Sequence, residues 1–178
     1  AGDGGYLLPD DLDGIAACFS PGVAWVARFE EDISARGIRC FQVDASVAEA
    51  PFKHPLVEFE RKFLGIFADD RTITLDEWVE AKMPGKSGDL MLQMDIEGAE
   101  WLVLARASEE LLGRFRIICV EFHNMEKIFD SFGFGVISQV FAKLLKQFDV
   151  VHVHPNNYGQ TLFRSRGYSI PSVLEYSF

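Results

Sequence analysis

Apolar and polar positions alternate along the chain in blocks that read as strand, helix, strand. Leu90 to Met94 is a short apolar run that stops at a carboxylate, Asp95, and passes straight into a helical pattern at Trp101, Leu102, Leu104 and Ala105. Similar runs occupy Ile15–Phe19, Ile38–Val43, Phe63–Phe67, Phe115–Phe122, Phe148–Val153 and Ser172–Phe178. Helical patterns fall between most of them, over 25–36, from Thr74 to about Lys82, after Trp101, and over 137–146. Gly37 and Gly113 read as stops. Thr74 with Glu77 three residues on reads as a capping box. Pro51 and Pro55 leave 47–60 ambiguous. Seven strands alternating with helices predict an α/β domain with a mainly parallel sheet and helices on both faces. The connection Tyr158–Pro171 is short, polar and without a helical pattern, so the last strand is expected to return antiparallel.

Composition narrows this picture. A length of 178 residues, 48% of them hydrophobic, favours one packed domain spanning the chain. Its abrupt opening on Ala1-Gly2-Asp3-Gly4-Gly5-Tyr6 is read as a truncation at the N-terminus. A net charge of -10 argues against nucleic acid or an anionic membrane as the main partner. Cys18, Cys40 and Cys119 all lie in apolar runs, which points to buried thiols in a reducing, cytoplasmic setting. No apolar run approaches the roughly 18 residues that span a bilayer, and no signal peptide is visible. Oligomeric state is not readable.

The candidate chemistry lies where the strands end: Ser20 and Gly22, Asp44, Asp95, Glu121 and His123, His154 and Asn156. In a parallel sheet these ends converge on one edge, where open α/β sheets bind ligands. Gly22 resembles half of a dinucleotide fingerprint, and Asp44, 22 residues on, stands where an acid meets ribose hydroxyls. Ala24 and Ala27 occupy the later glycine positions, so a ribose-bearing ligand with little negative charge is expected over a diphosphate. An ordinary turn at Gly22 and a surface carboxylate at Asp44 stay open as readings. Asp95, Glu97 and Glu100 would repel if drawn together, and a cation, a proton or outward rotation of one group must relieve them. Glu97 and Glu100 are expected to turn outward and start the helix. Asp95 is the functional carboxylate of choice. His123 is the first candidate general base and His154 the second, with a structural histidine the competing reading. His152 and His154, at i and i+2, could join Asp95 or Glu121 around a divalent metal, but no metal signature is present and none is predicted.

Asp95-Ile96-Glu97-Gly98-Ala99-Glu100, a helix, and then Ile118-Cys119-Val120-Glu121-Phe122-His123 together resemble the FkbM-type methyltransferases. Asp3-Gly4-Gly5-Tyr6, Ser20-Pro21-Gly22-Val23, Phe29-Glu30 and His154-Pro155-Asn156-Asn157 resemble further marks of one branch. The resemblance implies a class I, Rossmann-like S-adenosylmethionine-dependent methyltransferase. The implied sheet order is 3-2-1-4-5-7-6 with the seventh strand antiparallel. It also implies methyl transfer to a hydroxyl of a sugar, glycan or other small metabolite. Carried onto this chain, Ser20, Gly22 and Val23 would cradle the methionine end of S-adenosylmethionine. Asp44 would hold its ribose, Ser46 would join the cofactor contacts, and Asp95 would sit beside the reactive centre. Ala24 replaces a common glycine, and no insertion is long enough for a substrate cap. Two other functions are weighed: a non-catalytic ligand-binding module on the same fold, and a metal-dependent hydrolase using Asp95, Glu121 and the histidines.

Overall fold

The computed structural model describes residues 6–23, 25–85, 88–157 and 161–178. The expected turn at Asp3-Gly4-Gly5-Tyr6 lies outside them except for Tyr6, as do Ala24, Lys86, Ser87 and the start of the Tyr158–Pro171 connection.

Seven strands form the main sheet: β1 (Ile15–Pro21), β2 (Arg39–Val43), β3 (Val57–Glu60), β6 (Asp89–Met94), β7 (Phe115–Phe122), β8 (His152–Pro155) and β11 (Leu174–Ser177). Their order is β3-β2-β1-β6-β7-β11-β8. All pairs are parallel except the two made by β11. Strands β1, β6 and β7 are central and buried on both faces, which is why they read as continuous apolar runs. Two small ladders flank the sheet. One pairs β4 (Phe63–Gly65) with β5 (Thr72–Thr74). The other pairs β9 (Leu162–Ser165) with β10 (Tyr168–Pro171).

Helices α2 (Leu75–Lys82), α3 (Glu100–Arg106), α4 (Glu109–Leu112) and α5 (Ser131–Leu144) share the larger core with Leu90, Leu92 and Met94 of β6. Helix α1 (Arg28–Ala35) and the segment holding Tyr6, Leu8 and Leu12 cover the other face, through Ile33, Met91, Ile117 and Cys119. Side chains alternate across a strand. Asp95, Glu121 and His123 therefore continue the Met91 and Ile117 face as the strands run out.

Several expectations shift. The third strand of the sheet is Val57–Glu60, inside the stretch read as ambiguous. Phe63–Gly65 pairs elsewhere. The true strand alternates Val-Glu-Phe-Glu because it lies on the sheet edge and buries little. Helix α1 starts at Arg28, not Trp25. Helix α5 starts at Ser131, six residues early, capped by Asp130 Oδ1 accepting from Gly133 N at 2.7 Å. Gly133 hides that start in the sequence, yet it is needed there, because a Cβ would strike the Lys127 backbone. Phe148 N bonds Leu144 O at 3.0 Å, so Phe148 closes the helix instead of opening β8. The connection before β11 carries the β9–β10 hairpin, an insertion not anticipated.

The Thr74 box forms as expected. Its Oγ1 accepts from Glu77 N at 3.3 Å, and Thr74 N donates to Glu77 Oε2 at 3.3 Å. Thr74→Ala is expected to cost about 1 kcal/mol. A urea titration should show a lower midpoint with an unchanged slope.

Candidate active site

Parallel strands deliver their carboxyl ends to one edge, and the site is assembled there. After β1, Gly22 adopts φ +84, and its N–H donates to Val43 O at 3.0 Å. Asp95 N in turn reaches Pro21 O at 3.3 Å. The ends of β1, β2 and β6 are thus tied together. A Cβ on Gly22 would run into the Asp95 carbonyl oxygen, so only glycine fits.

Two cavities meet at Gly22 and Asp95. One, of about 550 Å³, is bounded by Asp44, Ser46, Leu64 and Ile96. The other, of about 310 Å³, is bounded by Tyr6, Val23, Arg28, Glu30 and Gln93. The larger falls within the size range of small-molecule sites. Asp44 lines it as a buried residue, and its Oδ1 accepts from Ser46 N at 2.7 Å and Ser46 Oγ at 2.6 Å. A larger hollow of about 620 Å³ lies away from this edge cluster, between the start of α5 and the β9–β10 hairpin.

Beside Asp95 sits one imidazole among four carboxylates. His123 Nδ1 is 3.2 Å from Glu100 Oε1. Its Nε2 is 3.5 Å from Glu97, 3.7 Å from Glu121 and 4.0 Å from Asp95. Glu100 is completely buried, and the same Oε1 accepts from Ile96 N and Gly98 N, each at 3.0 Å. Glu121 Oε1 accepts from Asn156 Nδ2 at 2.7 Å. Asp95 Oδ1 is buried and makes no hydrogen bond. Burial and then the Glu121 charge push the Asp95 carboxyl up to about 8, against a smaller opposing pull from His123. Burial alone would lower His123, but its bond to Glu100 and the surrounding acids prevail and raise it to about 9. Tyr6 stays a neutral phenol, its pKa raised by burial and by Asp95 and Glu121.

The turn that holds these groups is conformationally demanding. Glu97 and Asn124 both have positive φ, 56 and 59, on the two loops that face each other. A Cβ on Gly98 would come within 2.7 Å of Asn124 Nδ2. Such backbone concentrates at functional sites.

The structure brings together Gly22, Val23, Asp44, Ser46, Asp95, Glu121 and His123. It sets Ser20 and His154 apart. Ser20 is fully buried, its hydroxyl bridging Glu30 and Gln93, with Gln93 Oε1 at 2.6 Å. Burial raises the Glu30 pKa, with the Ser20 bond opposing it. His154 lies on β8, in register with Glu175, which is itself opposite Glu121, and its ring stacks on His152. Glu100 turns inward, against the expectation that it only starts the helix. Glu97 is exposed, as expected, although it stays within reach of His123. Tyr6, Glu30 and Gln93 were missed as a group. Gln93, a polar residue inside an apolar strand, was the available signal.

Asp95, Glu100 and His123 each offer one ligand atom, all within 4.8 Å of one another. Glu100 Oε1, however, is already held by two backbone N–H groups and the imidazole. A metal binding through Oε1 would have to break that arrangement; Oε2 is buried and makes no hydrogen bond. Among the described residues, no helix is long and apolar enough to cross a membrane.

A family model described as "Methyltransferase FkbM domain" matches residues 31–166. No curated protein matches the chain. Among solved structures, one titled "Structure of an antibiotic related Methyltransferase" aligns over 93% of this chain and 87% of that chain, with 9% identity and a TM-score of 0.37. That likeness is too slight to carry an argument. The family match covers most of the chain, including the Asp95 turn and the β7 end that build the site, and the chain therefore belongs to the FkbM methyltransferase family.

Proposed function

We propose that the chain is an S-adenosylmethionine-dependent methyltransferase of class I type that methylates a hydroxyl of a sugar, glycan or other small metabolite. The observation that carries this is the junction at Gly22. A glycine-only crossing of two strand ends separates two cavities, and a carboxylate with an unbonded buried oxygen stands at the point they share. Those residues fit the cofactor. Asp44 and Ser46 line the larger cavity with oxygen groups suited to ribose hydroxyls. The smaller combines Arg28 with Glu30, Asp95 and Glu97, groups suited to a zwitterionic amino-acid end. An acidic lining also favours a cationic sulfonium over a phosphate.

When bound, S-adenosylmethionine supplies an electrophilic methyl group. The protein must orient the acceptor oxygen and take its proton. Asp95 suits the role of proton acceptor, because it lies at the junction and its carboxyl is held near the working pH. The cytoplasmic reading belongs to the same proposal, supported by three buried, free thiols.

Isothermal calorimetry tests the reading. Both S-adenosylmethionine and its demethylated product should bind. Folded protein that shows no heat at millimolar ligand would overturn it. Asp44→Ala should weaken binding by roughly ten- to a hundredfold, the scale of a charged hydrogen bond. Transfer of a labelled methyl to a hydroxyl acceptor then separates an enzyme from a binding module.

A further inference from the structure

Both ring nitrogens of His123 face carboxylate oxygens, and ionised carboxylates only accept. Nδ1 meets Glu100 from α3. Nε2 meets Asp95 and Glu97 from the turn after β6, and Glu121 from β7. Tyr6, from the segment before β1, faces Asp95 and Glu121 as well. A neutral imidazole has one N–H and would leave a lone pair pointing at an anion. The imidazolium supplies a donor to each side, whichever of the carboxyls at Nε2 carries a proton. Among the described residues, no lysine or arginine forms an ion pair with Asp95, Glu97 or Glu100, and this ring is the cation those three share.

Glu100 is what gives the ring its place. Its side chain is 0% exposed, and Oε1 is fixed by the N–H groups of Ile96 and Gly98, so it cannot swing away. The same bonds shape the Ile96–Gly98 turn on which Glu97 stands. Trp101 Nε1, one residue on, donates to the His123 carbonyl at 2.7 Å and pins the backbone behind the ring.

We propose that Glu100 is a positioning residue that holds His123 as a cation through neutral pH, and that this cation keeps Asp95 and Glu121 side by side, so that a carboxylate and not the imidazole receives the acceptor's proton. The first half concerns the protein alone. The second rests on the methyltransferase reading. The reaction balances in the ordinary way: the acceptor O–H bond breaks, a C–O bond forms, the sulfonium becomes a thioether, and the proton passes to the Asp95 carboxylate.

The test is an NMR titration of the His123 ring nitrogens in the ligand-free chain. Wild type should show both nitrogens protonated through neutral pH, with a midpoint above about 8. Glu100→Gln keeps an oxygen for Ile96 N and Gly98 N but removes the charge. It should lower the midpoint by at least one unit, a tenfold loss of proton affinity. Glu97→Gln, on an exposed side chain, should lower it by less. A wild-type ring that titrates at or below about 7 overturns the proposal, and this holds even if Glu100→Gln does not fold. An unchanged midpoint in folded Glu100→Gln also overturns it, since a purely structural Glu100 would leave the titration where it was. Failure to bind S-adenosylmethionine would sink the methyltransferase reading and leave this titration standing.

Discussion

Gly22→Ala is expected to destabilise the protein by on the order of 3 kcal/mol or more and to lower S-adenosylmethionine affinity by at least about a hundredfold. Two costs add. At φ +84 an L-residue pays a left-handed strain of about 1–2 kcal/mol. The new Cβ also enters the space of the Asp95 carbonyl, and neither partner can retreat. Gly22 N is bonded to Val43 O, and Asp95 N to Pro21 O, so a shift at one strand end breaks bonds at another. Relief would have to move Asp95, the wall common to both cavities. Gly37→Ala is the control: φ is +83, but no atom lies within 4 Å of its Cβ. It should cost only the strain, about 1–2 kcal/mol, and leave binding intact. Denaturant midpoints and calorimetry on both variants separate clash from strain. Equal losses in the two would show that the crossing has room for a methyl group after all.

The second large effect runs the other way on stability. Asp95→Asn should reduce methyl transfer by roughly 10²- to 10⁴-fold, the usual worth of a positioned base, while the protein keeps or gains stability. Asp95 is held among Glu121, Glu97 and Glu100, and its Oδ1 makes no hydrogen bond. A neutral amide of the same shape removes the repulsion. The sign of the pH dependence follows. The folded Asp95 carboxyl, at about 8, lies above its unfolded value near 3.9. The native state therefore binds more protons across that window, and stability is full below it and lost as pH rises through it. His123, at about 9 against roughly 6.5 unfolded, acts in the same direction, its stabilisation full below about 6.5 and lost as pH rises to about 9. Wild type should lose stability from about pH 5 to 9, and Asp95→Asn should show a flatter curve. Activity should rise as Asp95 ionises near pH 8 and fall as His123 loses its proton near 9, a narrow bell whose limbs belong to the coupled pair. A variant with full activity, or a sharp drop in stability, would remove Asp95 from the proposed role.

These predictions depend on residues of unequal legibility. Asp44, Asp95 and His123 could be placed together from the chain alone, because each ends an apolar run and parallel runs end on one edge. Glu100 could not. In the chain it is the first acid of a helix, where carboxylates ordinarily face water, and only the folded turn shows its Oε1 enclosed by Ile96, Gly98 and His123. Tyr6 and Gln93 are 87 positions apart, and nothing local marks their hydrogen bond. The edge strand β3 and the glycine-bearing start of α5 were obscured for a different reason. Their local patterns are weak, and pairing with β2 in one case and packing on Lys127 in the other overrides them.

By itself, then, the sequence determined the mainly parallel sheet, the antiparallel last strand, the Thr74 box and the edge where the candidate residues gather. Those follow from period, length and punctuation, which are local. Only the tertiary structure decided that Gly22 must be glycine, that Glu100 faces inward, that Ser20 belongs to the core and that His154 stands apart. Each depends on which distant backbone or charge fills the next few ångströms, and Coulomb interactions and steric exclusion act through that space whatever the separation along the chain.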